Sequence, residues 1–447
     1  MSRFDIVASF AAARWRAATL HGDRLRAYQE RRAIAMVDMV RGRSPFYRAL
    51  WNGQPSSAWR TFPTVTKQAM MDAFDRFTTT GTRLDTAMQA ALEAERQRDF
   101  STVVDGCTVG LSSGTSGHRG LFLVSPDEQT RWAGTVLSRA IPDLRPGHRV
   151  AFFLRANSRL YERTSSVVQF RFFDLMQPLD DVVSQLNAFG PRLIVGPPSL
   201  LGLLADAREQ GALRSAPTRL IAVAEVMEPQ DRARLERVFQ APVGEVYQCT
   251  EGLVAITCHR GALHVQEDVM AMQTEAISPS DASRVTPILT DLWRRTQPII
   301  RYRLGDVLRL DAAPCTCGSS WQRIAAIEGR QDDLCWFPTG EDTLRVIFPD
   351  AIRRMILLAD ERITEYHAVQ PTAGELELHV AVRDSREFPV IATRLRDAVH
   401  AALGEYGCRA VSVTVHEGVP QSTPGTKRRR VECTWRARAE VRTVLTA

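Results

Sequence analysis

Leu111-Ser-Ser-Gly-Thr-Ser-Gly-His-Arg-Gly120 is the stretch on which the reading of this chain turns. It follows Cys107-Thr-Val-Gly-Leu111, a short apolar run of strand character, and leads into Leu121-Phe-Leu-Val124. The glycines allow positive φ and close approach, and successive N–H groups in such a loop form a nest for an anion. The hydroxyls of Ser112, Ser113, Thr115 and Ser116 add further donors. The loop is not a Walker loop, because no Gly-Lys-Ser/Thr closes it. With glycines at 114, 117 and 120 it is not the dinucleotide fingerprint either. The same composition would serve an ordinary hairpin turn, so the decision rests on what lies around it.

A chain of 447 residues has room for two or three domains, and 44% hydrophobic content supplies a substantial core. No run of about 18 uncharged apolar residues occurs, so no membrane span is expected. Ile6 to Ala13 is a short apolar stretch between Asp5 and Arg14-Trp-Arg16, which reads as an amphipathic helix rather than an export signal. A cytoplasmic protein is therefore expected, its eight cysteines reduced or bound to metal. The net charge is +6, but of 57 basic residues only Lys67 and Lys427 are lysine. The arginines are spread along the chain, which reads as compositional bias and not as a nucleic-acid surface. Lysine is a compact donor that a guanidinium cannot imitate, so each of the two points toward function.

Residues 1–60 read as mostly helical, broken at Gly42 to Pro45 and Gly53 to Pro55. Thr66 can cap a helix that opens with Lys67, where a cation faces the positive end of the helix dipole. From Asp105 to Gln248, strand-like runs such as Val150 to Leu154, Leu193 to Val195 and Leu220 to Ala224 alternate with helical ones. The helical runs are Pro178 to Phe189, Pro198 to Gln210 and Pro229 to Phe239. That alternation predicts an α/β fold, a mainly parallel sheet flanked by helices. Past Asp332 the strands Glu375 to Val382 and Val411 to Val415 flank a helix around Val390 to Leu403, as in a small α+β domain. The expected division is 1–330, with a helical segment over about 1–100, and 331–447.

Four downstream features could carry chemistry. Ala224-Glu225 ends a strand, and about twenty residues on comes Glu245-Val-Tyr-Gln-Cys-Thr-Glu251. There Tyr247 could stack a base, Thr250 touch a phosphate and Glu251 hold Mg2+. Pro298-Ile-Ile-Arg-Tyr-Arg-Leu-Gly-Asp306 places a carboxylate where it can accept two hydrogen bonds from a ribose diol. Pro424-Gly-Thr-Lys-Arg-Arg-Arg430 holds the second lysine. Cys258 and His264, with Cys315-Thr-Cys317, can supply four tetrahedral zinc ligands and so a closed, structural site. His259 is the alternative to His264, and unconnected thiols are the plainer reading.

In order and spacing these stretches resemble the adenylate-forming enzymes, specifically the phenylacetate–CoA ligase-like branch. Ser112 to Gly117 resembles the family's phosphate loop. Tyr247-Gln-Cys-Thr-Glu251 resembles its Tyr-Gly-x-Thr/Ser-Glu motif, Arg301-Tyr-Arg-Leu-Gly-Asp306 its Tyr-Arg-x-Gly-Asp motif, and Gly329-Arg-Gln-Asp-Asp333 its hinge. The branch's zinc site is resembled by Cys258, Ala262-Leu-His264 and Cys315-Thr-Cys317-Gly318. Ser44-Pro-Phe-Tyr47 and Lys67 resemble its N-terminal segments, so the likeness runs from about residue 44 to 430.

The resemblance implies a large α/β domain with a mobile α+β lid. It also implies ATP-dependent activation of a small carboxylic acid as an acyl-adenylate, followed by transfer to coenzyme A. Ser112, Ser113, Gly114, Thr115, Ser116 and Gly117 would hold the β/γ-phosphates, Ala224 and Glu225 would take part in nucleotide binding, and Tyr247 would flank adenine. Thr250 would contact the α-phosphate and Glu251 would bind Mg2+. Asp306 and Arg330 would bind ribose, Asp332 would be the hinge, and Lys427 the catalytic lysine of the lid. Two departures stand out: Arg119-Gly120 replaces the loop's usual Pro-Lys, and Gly-Thr-Lys427 replaces Gly-Lys. Transfer to a carrier-protein thiol, an amine or a hydroxyl is the alternative, and a zinc-stabilised nucleotide binder without chemistry is an alternative of another class. Phe152, Phe153, Tyr161, Phe170, Phe172 and Phe173 could line an acid pocket or simply fill the core. A monomer or homodimer is expected.

Overall fold

Five parallel strands form the framework that the alternating pattern predicts. Gln169–Asp174, Arg149–Leu154, Leu193–Gly196, Arg219–Val223 and Val243–Cys249 lie side by side in that order. Gly252–Thr257 and then Leu263–Val265 continue the sheet antiparallel. Parallel neighbours need crossovers, and among the described residues the helices Leu179–Phe189, Pro198–Glu209 and Pro229–Phe239 provide three of them. Leu193–Gly196 is buried along its whole length, as expected for a strand covered on both faces. The computed structural model describes residues 3–97, 99, 101–112, 120–141, 147–154, 168–175, 177–278, 281–330, 333–340, 344–420 and 429–435. Among them no helix is long and apolar enough to cross a membrane.

The chain divides into two compact units, one of Met1–Thr274, Pro287–Leu304 and Leu310–Ala325, the other of Glu275–Thr286, Gly305–Arg309 and Ala326–Ala447. The first contains the parallel strands and the N-terminal helices Arg3–Thr19, Gly22–Arg43 and Pro45–Leu50. Those helices are fixed to the core by aromatic packing. Tyr47, Trp51, Phe62 and Phe77 are buried together, and the Tyr47 hydroxyl donates to the Pro298 carbonyl at 3.0 Å. Phe153 and Phe173 stack at 4.8 Å inside the core, the packing role open to them from sequence.

In the second unit, strands run in the order Ser412–Glu417, Glu375–Val382, Ile363–Thr372 and Val431–Cys433. Helices Pro349–Ala359 and Phe388–Glu405 close its core over Leu376, Leu378 and Val380. This is the expected α+β arrangement. Gly329 and Arg330 finish the strand Arg323–Arg330, with Gly329 at φ +126°, where a side chain would strain the backbone. Gln331 and Asp332 lie outside the described residues.

Asp268 is fully buried and accepts from Arg16 Nε at 2.8 Å and Arg139 Nη2 at 3.1 Å, joining the first helix, the helix Pro126–Ala140 and the sheet. Removing one member of such a cluster leaves charges without compensation. Asp268→Ala is expected to lower stability by about 3–5 kcal/mol, read from urea unfolding.

Candidate functional site

The phosphate-type loop hangs from a hairpin. Cys107–Leu111 pairs antiparallel with Leu121–Val124, so the stretch is carried between the two strands of a hairpin. Its neck is clamped by three contacts. The Ser112 amide donates to the Gly120 carbonyl at 2.7 Å, and the Gly120 amide returns to Ser112 Oγ at 2.7 Å. In the third contact Lys67 Nζ donates to Ser112 Oγ at 3.2 Å. Thr66 does cap that helix, its hydroxyl accepting from the Ala69 amide. The lysine that fitted its helix terminus poorly thus lies at the foot of the loop. Gly120 makes room for it, since a Cβ there would stand 2.8 Å from Lys67 Cε. Ser113, Gly114, Thr115, Ser116, Gly117 and Arg119 lie outside the described residues.

Thr250 and Glu251 follow the strand Val243–Cys249, which carries Tyr247. The Glu251 carboxylate is buried and accepts from the Tyr302 hydroxyl at 2.8 Å and from Thr250 Oγ1 at 2.9 Å. Burial and the Glu251 charge hold the Tyr302 phenol far above its ordinary pKa, so it remains a donor. Two residues near these motifs take positive φ without being glycine, Ala224 at 70° and Arg301 at 53°. Such strain persists where surrounding structure fixes the backbone, often beside functional groups. Glu225 caps a neighbouring helix: its carboxylate accepts from the Ser199 amide and hydroxyl at 3.1 and 3.0 Å.

Arg294 and Gln297 join the strand Leu121–Val124 to Thr250, and sequence reasoning gave them no role. The Arg294 guanidinium donates to the Thr250 carbonyl, to the Leu123 carbonyl at 3.2 Å and to Gln297 Oε1 at 2.8 Å. Gln297 Oε1 accepts from the Leu123 amide at 3.0 Å, and its amide group donates to the Leu121 carbonyl at 3.0 Å. Both residues are buried. A signal existed: Trp293-Arg-Arg-Thr-Gln297 is a polar run directly before apolar Pro298-Ile-Ile.

In the second unit, Asp306 and Arg330 meet, Arg330 Nε lying 3.7 Å from the carboxylate. Lys427 lies outside the described residues, which resume at Arg429. Arg429 forms ion pairs with Asp333 and with Glu432, so neighbours of the expected hinge and of the lysine come together.

Cys258, His264, Cys315 and Cys317 converge, each offering a ligand atom within 4.8 Å of the others. Sγ of Cys258 and Cys315 stand 3.9 Å apart, and Cys317 Sγ lies 3.5 Å from His264 Nε2. A tetrahedral ion with bonds of about 2.3 Å to sulfur sets its thiolates about 3.8 Å apart, so the donors fit zinc. The His264 Nδ1 lies 3.0 Å from the Trp321 carbonyl, which fixes the tautomer that turns the Nε2 lone pair toward the thiols. Backbone amides of Arg260, Cys317 and Ser319 approach the sulfurs at 3.4–3.5 Å. His264 is buried and His259 exposed, which separates the two candidates.

No protein-family model matches the chain. A stretch of 100 residues, 22% of this chain, is 30% identical to phenylacetate–coenzyme A ligase of Thermus thermophilus and spans 21% of that relative's length. In structure the chain is similar to 2-hydroxyisobutyryl-CoA ligase in the postadenylation state with its acyl-AMP. That likeness has a TM-score of 0.70 at 18% identity over 94% of this chain and 91% of that one. The open conformation of the same enzyme with acyl-AMP and CoA gives 0.59 at 19% identity over 91% of each chain. An ATP-bound MatB chimera gives 0.52 at 15% identity over 71% of this chain and 65% of that one. The fold is that of the adenylate-forming enzymes. Within that class, the sequence stretch resembles phenylacetate–CoA ligase.

Arg294→Met should leave the Thr250 and Leu123 carbonyls without their charged donor. We expect a loss of about 2–3 kcal/mol in urea unfolding, with Arg294→Lys recovering only part because one ammonium cannot span the three acceptors.

Proposed function

We propose that this protein is an ATP-dependent enzyme that activates a carboxylic acid as its acyl-adenylate and passes the acyl group to coenzyme A. The observation that carries the reading is the buried Glu251 carboxylate, oriented by Tyr302 and Thr250 and tied through Arg294 to the strand leaving the phosphate-type loop. The fold likeness over most of the chain supports it. So does the ligand set of the neighbours, one with acyl-AMP and CoA and one with ATP.

The first step sets an anion against a polyanion: a carboxylate oxygen attacks the α-phosphorus, and its bond to pyrophosphate breaks. Little covalent help is available, so the rate comes from positioning and charge stabilisation. Ser112 through Gly117 would bind the β/γ-phosphates by hydroxyls and backbone N–H groups. Lys67, already bonded to Ser112, would supply the cation that the Arg119-Gly120 ending does not place as lysine. Thr250 would donate to the α-phosphate. Glu251 would hold Mg2+, which neutralises phosphate charge when bound. Tyr247, with Ala224 and Glu225, would flank adenine, and Asp306 with Arg330 would bind the ribose diol. Each donor of this kind is worth roughly 3 kcal/mol to the transition state. The acyl-adenylate is water-sensitive, which gives residues 331–447 a purpose as a lid turning at Asp332. In the second step the thiol sulfur of coenzyme A attacks the acyl carbon, AMP leaves, and the thiol proton passes to solvent.

Zinc in the Cys258, His264, Cys315 and Cys317 site would be structural, since four protein ligands leave no position for water. Elemental analysis should find about one equivalent of zinc, and stripping it should lower the unfolding midpoint clearly. Metal-free protein with an unchanged midpoint after chelation would remove the ion from the fold.

ATP–pyrophosphate exchange across aromatic and aliphatic acids tests the function. A substrate acid should drive exchange, and Lys427→Ala and Lys427→Arg should both abolish it, because a planar guanidinium cannot replace an ammonium bridging carboxylate and α-phosphate. Supplied acyl-adenylate should still react with coenzyme A in both variants. Exchange at the wild-type rate in Lys427→Arg, or no exchange with any acid, would refute the assignment.

A further inference from the structure

A row of imidazoles on the sheet of the second unit has no part in the proposed chemistry. His367, His379 and His416 stand on three neighbouring strands in register, His367 opposite His379 and His379 opposite His416. Side chains alternate across a strand, so with Leu376, Leu378 and Val380 in the core, Glu377 and His379 share the other face. The His379 and His416 rings stack at 4.7 Å with 20° between planes, and His367 lies 6.1 Å from His379. The Glu377 carboxylate stands 3.9 Å from His379 Nε2. One ligand atom from each of Glu377, His379 and His416 lies within 4.8 Å of the other two.

Stacked imidazoles repel one another when protonated. A divalent cation converts the arrangement into shared ligation. We propose that Glu377, His379 and His416 form a second metal site, distinct from the Cys258 cluster, for a borderline transition-metal ion such as Zn2+. Two imidazoles and one carboxylate suit zinc, nickel or copper, whereas magnesium and calcium take oxygen donors. Bonds of about 2.0–2.1 Å require the donors to close to roughly 3.3 Å. His416 is exposed, while Glu377 and His379 are half-buried, so the closure falls mainly to the His416 side chain. His367 stays outside the set, since its Nε2 faces Glu432 at 3.5 Å. Three protein ligands leave a position for water, so this site binds metal more weakly than the four-ligand cluster. The ion bonds the edge strand Ser412–Glu417 to Glu375–Val382, stiffening the strand from which the chain proceeds toward Lys427.

The test is metal titration of untagged full-length protein. Cobalt reports the two sites separately, because thiolate ligation gives intense near-ultraviolet charge transfer and imidazole–carboxylate ligation gives only weak visible bands. Wild type should bind about two equivalents, the tighter with charge transfer and the weaker without. His379→Ala/His416→Ala should lose the weaker equivalent and keep the charge-transfer band, and Glu377→Gln should weaken it about tenfold or more. All three positions are on the exposed face, so the fold should survive; unchanged near-ultraviolet circular dichroism checks this. Equal binding by wild type and the double variant overturns the proposal, as does a weaker equivalent that fills only at millimolar metal. Failure of the cysteine cluster would show as a missing charge-transfer band and leave this inference standing.

Discussion

The buried guanidinium of Arg294 is the interaction on which the first unit's site depends. Three acceptors on different parts of the chain meet it: the Thr250 carbonyl after one strand, the Leu123 carbonyl leaving the loop, and Gln297. A charge taken out of water is costly unless hydrogen-bonded, and both Nη groups of Arg294 are held in this way. That requirement works in both directions. The acceptors hold the arginine in place, and the arginine fixes the hairpin relative to the carboxylate that Tyr302 and Thr250 orient. A planar head with several donors can do this where a single ammonium cannot.

The same logic separates the two lysines from the many arginines. Lys67 opens a helix where a cation is disfavoured, and its ammonium is instead committed to Ser112 Oγ. The space it uses exists because residue 120 is glycine. Local helix energetics were sacrificed for a contact across 45 residues of chain. The cysteine cluster follows a similar rule, with a buried His264 fixed by the Trp321 carbonyl before any metal is considered.

Much of the architecture was legible in the residues. Three short apolar strands alternating with proline-led helices pointed to a parallel sheet, because parallel neighbours need crossovers of that kind. The hairpin flanking the loop, the Thr66 cap and the α+β character beyond Asp332 followed from equally local patterns. Less legible were Arg294, Gln297 and Tyr302. Buried polar residues look like surface residues in a sequence, since nothing local distinguishes a polar group with three internal partners from one facing water.

Sequence alone determined the order of motifs, the class of fold and which cysteines and histidines could act together, because these depend on residue type and spacing. Burial against Trp321 bears out the preference for His264 over His259 that the sequence context gave, but only the tertiary structure placed Lys67 at the foot of the loop and Arg429 against Asp333. It alone aligned His367, His379 and His416, which fall on three strands whose register no local pattern states. The reason is physical: spacing along the chain is set by covalent geometry, but pairing between distant segments is set by which buried groups can satisfy one another.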